Sequence, residues 1–423
     1  MTAELPASNP MSGFDDEIDL FAKHIESIRN ALPVMVSAAG SVTREFRKDL
    51  KKFEDENCEV AENDDERTVR VPYESFAKWK KLTRRFENFA LASKLLPRSL
   101  VVTLVSQYDA YLGRLLRCIF LAKPEVLNSS ERKLSFQEIS SLGSVEAARE
   151  YVLEKEVEAI LRSSHADQFK WMENAFKLPL NKGLDCWPTF IELTERRNLF
   201  VHTDGVVSSQ YMSVCQKHGV KLDPELKEGE QLWVSQSYFR NATACIYEIG
   251  IKLGHVLWRK LLPEEREVAD GSFINLTYEL LVNEEYDMAK LLLDFAFKDF
   301  TDFSNEVRKL SLLVNWAQAY KWSGDSAKCA EIMGSVDWTA RSELLRLASS
   351  VLAGHWDDSA KLMRKMGASS EIRSTDYRDW PLFKEFREQP QFREAFKDVF
   401  GDAFVVETGV DTESESDDSG NEP

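Results

Sequence analysis

The spacing of apolar residues constrains the fold of this chain more than any other feature. Along most of its 423 residues, apolar side chains recur three and four positions apart, whereas runs that alternate between apolar and polar residues are short and rare. The stripe that runs from Val101 through Leu104, Val105 and Leu112 is one example. This pattern predicts a mainly α protein. The length exceeds that of a typical single core, so two or three domains are expected.

Prolines and composition shifts suggest where the segments of the chain begin and end. Residues 14–55 predict one or two amphipathic helices that stop at Pro33, and Pro72 and Pro97 are each expected to begin a helix. The four predicted segments are an N-terminal helical arm with an acidic linker (1–71), a helical bundle (72–262), a helical repeat region (263–400) and an acidic disordered tail (401–423).

Charge is distributed unevenly along the chain, whose formal net charge is −17. Segment 54–66 carries eight carboxylates and no base, and the tail from Glu407 onward carries seven and no base. Both segments are expected to be solvated and disordered. Residues 76–133, by contrast, hold twelve basic and four acidic side chains, a local balance of 12 − 4 = +8. Because Lys and Arg drive phosphate binding, a nucleic-acid partner is expected here in spite of the net charge.

The sequence predicts a cytoplasmic protein that does not enter a membrane. Its start lacks the basic and apolar regions of a signal peptide, and Asp109, Arg114 and Arg117 interrupt its most apolar stretch. The six cysteines are scattered without a CxxC pair, which is typical of a reduced interior. Cys215 and His218 form a lone Cys-x-x-His that we interpret as a helix end, and the other histidines are isolated. No cofactor or metal is expected.

Three stretches of the C-terminal part resemble one another. Each places an alanine shortly after a polar turn and then opens an apolar helix, and these alanines (Ala289, Ala327 and Ala360) are 38 and 33 residues apart. That spacing is close to the 34-residue period of tetratricopeptide (TPR) units, which the region resembles. Residues 379–396 look like a closing segment. The resemblance implies a short α-solenoid that binds a protein partner; the alternative is a plain helical extension without a groove.

The stretch "ERRNLFVHTDG" (195–205) carries the residues most suited to catalysis. In a helix starting near Pro188, Arg197 is drawn toward the interior, whereas Asn198 and His202 share a second face. On a regular helix Arg197 and His202 diverge by roughly 140°, so they cannot meet at one phosphate unless the helix loosens. Gly205 is expected to supply that break.

These residue types point to metal-independent cleavage of RNA. Arg197 offers a planar, permanently charged fork for phosphate oxygens. His202 lies in the last helical turn, where the helix dipole favours an imidazolium and Asn198 can orient the ring, so it suits a general acid or base. The nucleophile would be the substrate's own 2′-hydroxyl, and the product would end in a 2′,3′-cyclic phosphate.

Further residues are candidates for supporting roles. Asp109 lies on or beside an apolar stripe and therefore needs a partner, either an arginine that pairs with it for stability or the motif itself. Arg196 is expected to contact phosphate or to cap the surface. The remaining candidates for substrate binding are Lys80, Lys81 and Arg84.

The motif "RNLFVH" resembles the Arg-x(4–6)-His signature of the HEPN superfamily, and "LVSQYDAYLGRLLRCIF" is similar to the family helix that faces it. The similarity covers roughly residues 72–262. It implies a fold class that is mainly α, with a HEPN-like helical bundle followed by the short TPR-like α-solenoid. It also implies frequent homodimers that bring two motifs into one cleft, and in many members a metal-independent ribonuclease of toxin or phage-defence systems.

Within that resemblance, catalytic roles fall on Arg197, Asn198, His202 and, on the facing helix, Asp109. Some members keep the fold without cleaving anything. Two alternatives therefore stay open: a non-catalytic dimeric adaptor or regulator whose repeats bind a protein, and a regulator that binds a nucleotide in the bundle.

Overall fold

Helices dominate the architecture, and the prediction of a mainly α protein is confirmed. The computed structural model describes residues 13–63, 66–129, 134–181, 183–368 and 372–401. The chain divides into two compact units, residues 1–273 and 274–423. The elements up to the end of the first bundle are α1 Phe14–Asn57, β1 Glu59–Asn63, β2 Glu66–Arg70, α2 Tyr73–Ala122, α3 Phe136–Leu142, α4 Val145–Leu161, α5 His165–Phe176, α6 Trp187–His202, α7 Ser209–Lys217 and α8 Gln236–Leu261.

Two very long helices, α1 and α2, pack against each other in the first unit. Pro33 lies inside α1 and Pro97 inside α2, so the prediction that a helix stops at the first and another starts at the second is wrong. A proline inside a helix costs about 3 kcal/mol, but contacts on both sides of Pro97 hold α2 together. Before it, the Phe89 ring packs edge-on against Phe46 of α1; after it, the helix enters the core.

The first half of α1 is buried against α2 and α8, and glycines allow the close approach. The Phe21 ring stacks on Tyr111 with centroids 4.1 Å apart, and the Tyr111 hydroxyl donates to the Gly250 carbonyl at 3.1 Å. A Cβ on Gly250 would lie 2.1 Å from the Phe21 ring, and one on Gly254 would lie 2.2 Å from the Tyr111 hydroxyl. A larger residue at position 250 would therefore push α1 away from α8, and one at position 254 would displace Tyr111 of α2.

The acidic segment after α1 is structured where it is described, so the expectation of disorder there is wrong. Strands β1 and β2 form an antiparallel hairpin whose register sets Glu59 opposite Arg70 and Val60 opposite Val69. Nη1 of Arg70 lies 3.9 Å from Oε2 of Glu59, an attraction between the two strands that a run of carboxylates alone would not provide.

The second unit is built from helix pairs with short connections. Its elements are α9 Arg266–Val282 (which begins in the first unit), α10 Tyr286–Asp299, α11 Glu306–Trp322, α12 Ser326–Gly334, α13 Glu343–Leu352, α14 Trp356–Met366, α15 Ser374–Asp379 and α16 Pro390–Phe400. Three residues join each pair: 283–285, 323–325 and 353–355.

Two of the three alanines of the predicted repeat are buried. Ala289 and Ala360 lie in the core, but Ala327 is exposed, and the first buried residue of α12 is Cys329, two positions later. The alanine spacing therefore does not track equivalent core positions. The helix pairs are a fact of the structure; their kinship with TPR units stays a prediction.

The acidic tail from residue 402 lies outside the described residues. By length and composition, α2 is able to cross a membrane, with a mean hydropathy of 1.4 over its most apolar window. Core helices of soluble proteins meet the same criteria, and the second half of α2 buries one face in the first unit. Cytoplasmic location stays a prediction.

Candidate functional site

Helix α6 carries the motif, and its start and end follow sequence signals. Pro188 occupies the first turn, where its missing N–H costs nothing. The helix runs to His202, after which Asp204 and Gly205 adopt positive φ values of 53° and 83°, and the Gly205 N–H donates to the Leu199 carbonyl at 3.0 Å. The expectation that Gly205 loosens the helix at His202 is wrong, because the break comes after it. Arg197 and His202 therefore stay on diverging faces of a regular helix.

Arg98 holds the turn that follows α6. Its guanidinium donates to the carbonyl and to the carboxylate of Asp204, at 3.1 and 3.0 Å, and to the Leu232 carbonyl at 3.2 Å. It also lies over the Trp233 ring, 4.1 Å from the centroid. Sequence reasoning assigned Arg98 only to a basic region. In the structure it is buried and fixes the backbone beside His202.

The centre of the site joins three helices through Asp109. Nη2 of Arg197 (α6) donates to Oδ2 of Asp109 (α2) at 2.6 Å, and Nε2 of His165 (α5) lies 2.8 Å from Oδ1. A carboxylate only accepts, so the imidazole is the donor. The arginine partner that the position of Asp109 required is therefore Arg197 itself. The side chain of Arg197 keeps 21% of its surface exposed, and that of Asp109 keeps 28%.

His165 was missed by the sequence analysis, and its treatment as an isolated histidine is wrong. It is the first residue of α5 after the N-cap Ser164, and it is buried against the rings of Tyr108 and Phe190. The only local signal is the cap. Since 56 residues separate His165 from Asp109, no spacing rule links them.

Another carboxyl group lies near this cluster. Burial raises the pKa of Glu195, although the nearby His165 and Arg197 act in the opposite direction. Both His165 and Arg197 make their hydrogen bonds to Asp109.

Arg196 faces a separate and more closed cluster. Its Nε donates to Glu192 at 2.6 Å and its Nη1 to the Trp233 carbonyl at 3.2 Å, while the guanidinium lies 4.0 Å from the Tyr238 ring centroid. Glu192 also accepts from the hydroxyls of Tyr211 and Tyr238, at 2.7 and 2.8 Å. The guanidinium of Arg196 is therefore already engaged by Glu192, Trp233 and Tyr238 of the same chain. The predicted role of Arg196 in contacting phosphate would require this cluster to open.

Asn198 and His202 lie on the open side of α6. His202 is exposed and Asn198 is partly buried. Within the described part of the chain, neither side chain forms a hydrogen bond or an ion pair with the protein. The expected contact in which Asn198 holds a ring nitrogen of His202 is therefore not formed. Both groups are free to meet a ligand or a second chain.

The outer basic residues lie far from this centre. Lys80, Lys81 and Arg84 are exposed on α2, and no described residue of α2 before Arg98 is buried. At a rise of 1.5 Å per residue, the helix between Arg84 and Asp109 spans about 37 Å. A ligand that touches both places has to be an extended one.

Three further basic residues of the described part of region 76–133 are engaged by the protein itself. Arg114 pairs with Glu17 and Arg117 with Glu150, while Arg98 is buried under the turn after α6. The local balance of +8 is thus spread around α2 and partly neutralised. Counting charges along the sequence overstated the size of the basic surface.

No grouping of His, Cys, Asp and Glu side chains within the described ranges could hold a metal ion. Cys215 is buried in α7, where burial and the nearby Glu192 raise the pKa of its thiol to about 12.

Comparisons of this chain with protein-family models, with curated proteins and with solved structures find no match.

Proposed function

We propose that this chain is a metal-independent endoribonuclease of HEPN type whose active site is completed by a second copy of the chain. The observation that carries the proposal is the division of α6 into two faces. Arg197 is oriented by Asp109 and keeps an exposed part, while His202 stands exposed on another face. A phosphate clamp and a proton-transfer group are both present, but on one chain they diverge.

Pairing of two copies would remove this divergence. If Arg197 of one chain and His202 of its partner border the same groove, each substrate phosphate meets both groups. Exposed apolar side chains lie at this end of α6: Val201 is 50% exposed and Trp233 49%. Apolar surface beside a polar motif is typical of protein contact sites.

The chemistry follows from the groups on each face. The exposed part of Arg197 binds a non-bridging phosphate oxygen, and Asp109 fixes the direction of its fork. His202 transfers the proton of the attacking 2′-hydroxyl or of the leaving oxygen. The protein supplies no nucleophile in this scheme, so a 2′,3′-cyclic phosphate is the expected product.

A mixing experiment tests both the reaction and the composite site. Purified Arg197→Ala and His202→Ala should each cut RNA about 10²- to 10⁴-fold more slowly than the parent chain in EDTA. A mixture of the two should regain roughly a quarter of the parent rate, because half of the dimers combine both variants and each of these holds one intact site. RNA fragments should carry cyclic phosphate ends.

Matched controls separate chemistry from binding and folding. Asn198→Ala should reduce the rate less than His202→Ala does, since it positions rather than reacts. Reversing the charge of Lys80, Lys81 and Arg84 together should weaken RNA binding at low salt without changing the rate at saturating RNA. A parent protein that cuts no RNA, or single variants that cut normally, would overturn the ribonuclease proposal. Inactive variants that gain nothing on mixing would overturn the composite site alone.

A second candidate is a non-catalytic adaptor, favoured by the Arg197–Asp109–His165 contacts. These contacts join three helices and satisfy both oxygens of a partly buried carboxylate, which is also what a purely structural cluster does. Under this alternative, Arg197→Ala lowers stability, His202→Ala changes nothing, and neither affects RNA. Thermal unfolding of the two variants beside the cleavage assay distinguishes the candidates.

A further inference from the structure

Two of the six cysteines meet inside the first unit, although 59 positions separate them in the chain. Cys186 is the N-cap residue of α6 and is partly buried, whereas Cys245 lies in α8 and is buried. The Cys245 thiol donates to the Cys186 carbonyl at 3.6 Å. The packing of α6 on α8 thus brings together two cysteines that the sequence leaves far apart.

The side chains of the two cysteines also interact directly. A hydrogen bond between the thiols is the main reason that the pKa of Cys245 is raised well above its usual value, and burial is the next one. Glu248 and Glu192 act in the same direction, because a thiolate beside carboxylates is unfavourable. Cys245 therefore stays a thiol, and Cys186, which solvent reaches, is the member of the pair that reacts first.

The other four thiols have no such neighbour among the described residues. Burial and charged side chains shift their pKa values, and no second cysteine is among the groups that act on them. A pair of thiols in contact differs chemically from a lone thiol, because its oxidation can end in a disulfide instead of passing to sulfinic acid. The four lone thiols are Cys58, Cys118, Cys215 and Cys329.

We propose that Cys186 and Cys245 form a modification site, which hydrogen peroxide converts to a disulfide between the start of α6 and α8. The Cys186 sulfur attacks one peroxide oxygen, the O–O bond breaks, and water leaves while Cys186 becomes a sulfenic acid. The Cys245 sulfur then attacks the Cys186 sulfur and the S–O bond breaks. The hydroxyl group leaves with the proton of Cys245 as a second water. The two thiols lose two electrons in all, and the peroxide gains them.

The disulfide would act on the helix that carries the motif. Arg98 already holds the turn after α6, so the bond would restrain the same helix at both ends. In a reducing compartment the pair stays as two thiols, and thiol reductants reverse the bond. The site depends on these two sulfurs alone and is independent of the RNA cleavage proposed above.

Peptide mapping of the reduced full-length chain, before and after treatment with hydrogen peroxide, tests this proposal. The remaining thiols are alkylated, and the protein is digested without reductant. We expect a linked pair of peptides that contain Cys186 and Cys245, which dithiothreitol separates again. The oxidised chain should also melt about 5 °C or more above the reduced one, because a bond across 59 positions restricts the unfolded state.

A variant without the second thiol shows whether Cys245 resolves the oxidation. In Cys245→Ala the sulfenic acid of Cys186 should persist, so that this residue takes up about tenfold more dimedone than in the parent chain. Cys118→Ala is the matched control, because Cys118 is a partly buried thiol without a cysteine neighbour. It should leave the disulfide yield and the dimedone uptake of Cys186 unchanged.

The mapping of the parent chain decides the question even if the variant fails to fold. Linked peptides that join two chains would overturn the proposal, and so would equal dimedone uptake by Cys186 in the parent chain and in Cys245→Ala. A disulfide that forms only in urea, or an oxidised chain that melts no higher than the reduced one, would also overturn it, because the native fold would then not accommodate the bond.

Discussion

Arg196 and Arg197 are neighbours in the sequence, and the structure gives them opposite surroundings. The side chains of Arg196 and Glu192 are 13% and 9% exposed, and two tyrosine hydroxyls complete the coordination of the carboxylate. Arg197 and Asp109 are 21% and 28% exposed, and the partner of their carboxylate is a histidine. One cluster is closed and made for stability, whereas the other leaves an arginine and a carboxylate within reach of a ligand. A pair of basic residues in a sequence therefore carries no single role.

The largest expected effect comes from removing the carboxylate of the closed cluster, which consists of Glu192, Arg196, Tyr211 and Tyr238. Glu192→Ala leaves Arg196 with a buried charge and two tyrosines without their acceptor, so it should lower the free energy of unfolding by about 3–5 kcal/mol. Urea unfolding followed by circular dichroism measures this loss. Asp109→Ala is the matched change in the open cluster and should cost clearly less, because Arg197 and the space left by Asp109 keep access to water, although His165 is buried. Equal losses would erase the contrast between the two clusters.

A smaller effect is expected from exchanging each arginine for lysine. Arg196→Lys loses the bond to the Trp233 carbonyl and the planar contact with Tyr238, and should cost about 1–3 kcal/mol of unfolding free energy. Arg197→Lys should cost less than about 1 kcal/mol and, under the proposed function, should still fail to restore RNA cleavage. Thermal melts of the two variants under identical conditions make the comparison. A greater loss for Arg197→Lys would mean that the open cluster is the structural one.

The smallest expected effect concerns the ionisation of Glu195, which lies near Arg197. Because burial raises the pKa of Glu195 above its unfolded value, its contribution to stability is present below the unfolded pKa and is lost as pH rises through the folded value. Glu195→Gln removes that loss, so it should stabilise the protein at pH 7 by a fraction of about 1 kcal/mol and have no benefit at pH 4. Melting temperatures of both proteins across this range test the sign. Destabilisation at pH 7 would show that Glu195 acts as a needed counter-charge.

Local patterns in the sequence predicted what depends on local structure. The period of the apolar residues predicted the helices, Pro188 the start of α6, and the stripe position of Asp109 its need for an arginine. Sequence signals for the ends of helices were wrong where packing against other helices decides whether a helix continues. Pro97 looks like a helix start, yet packing on both sides carries α2 through it.

Contacts between distant parts of the chain were out of reach. His165 lies 56 residues from Asp109, and Glu192 lies 46 residues from Tyr238. Nothing in the residues around them marks these pairs, since a single acidic or histidine residue on a helix fits many surroundings. His165, the member of the open cluster that no sequence pattern indicates, could therefore be found only from the structure.

The glycines of α8 also set the order in which the protein can complete its folding. Phe21 of α1 packs into the space over Gly250, which the ribosome adds 229 residues later in the chain. At a synthesis rate of 5–20 residues per second, this interval is roughly 10–50 s. During this interval the apolar face of α1 cannot pack against α8. Helix α2 is synthesised earlier and is the first element that can cover part of that face. The bundle of the first unit therefore closes late during synthesis, when α8 packs against α1.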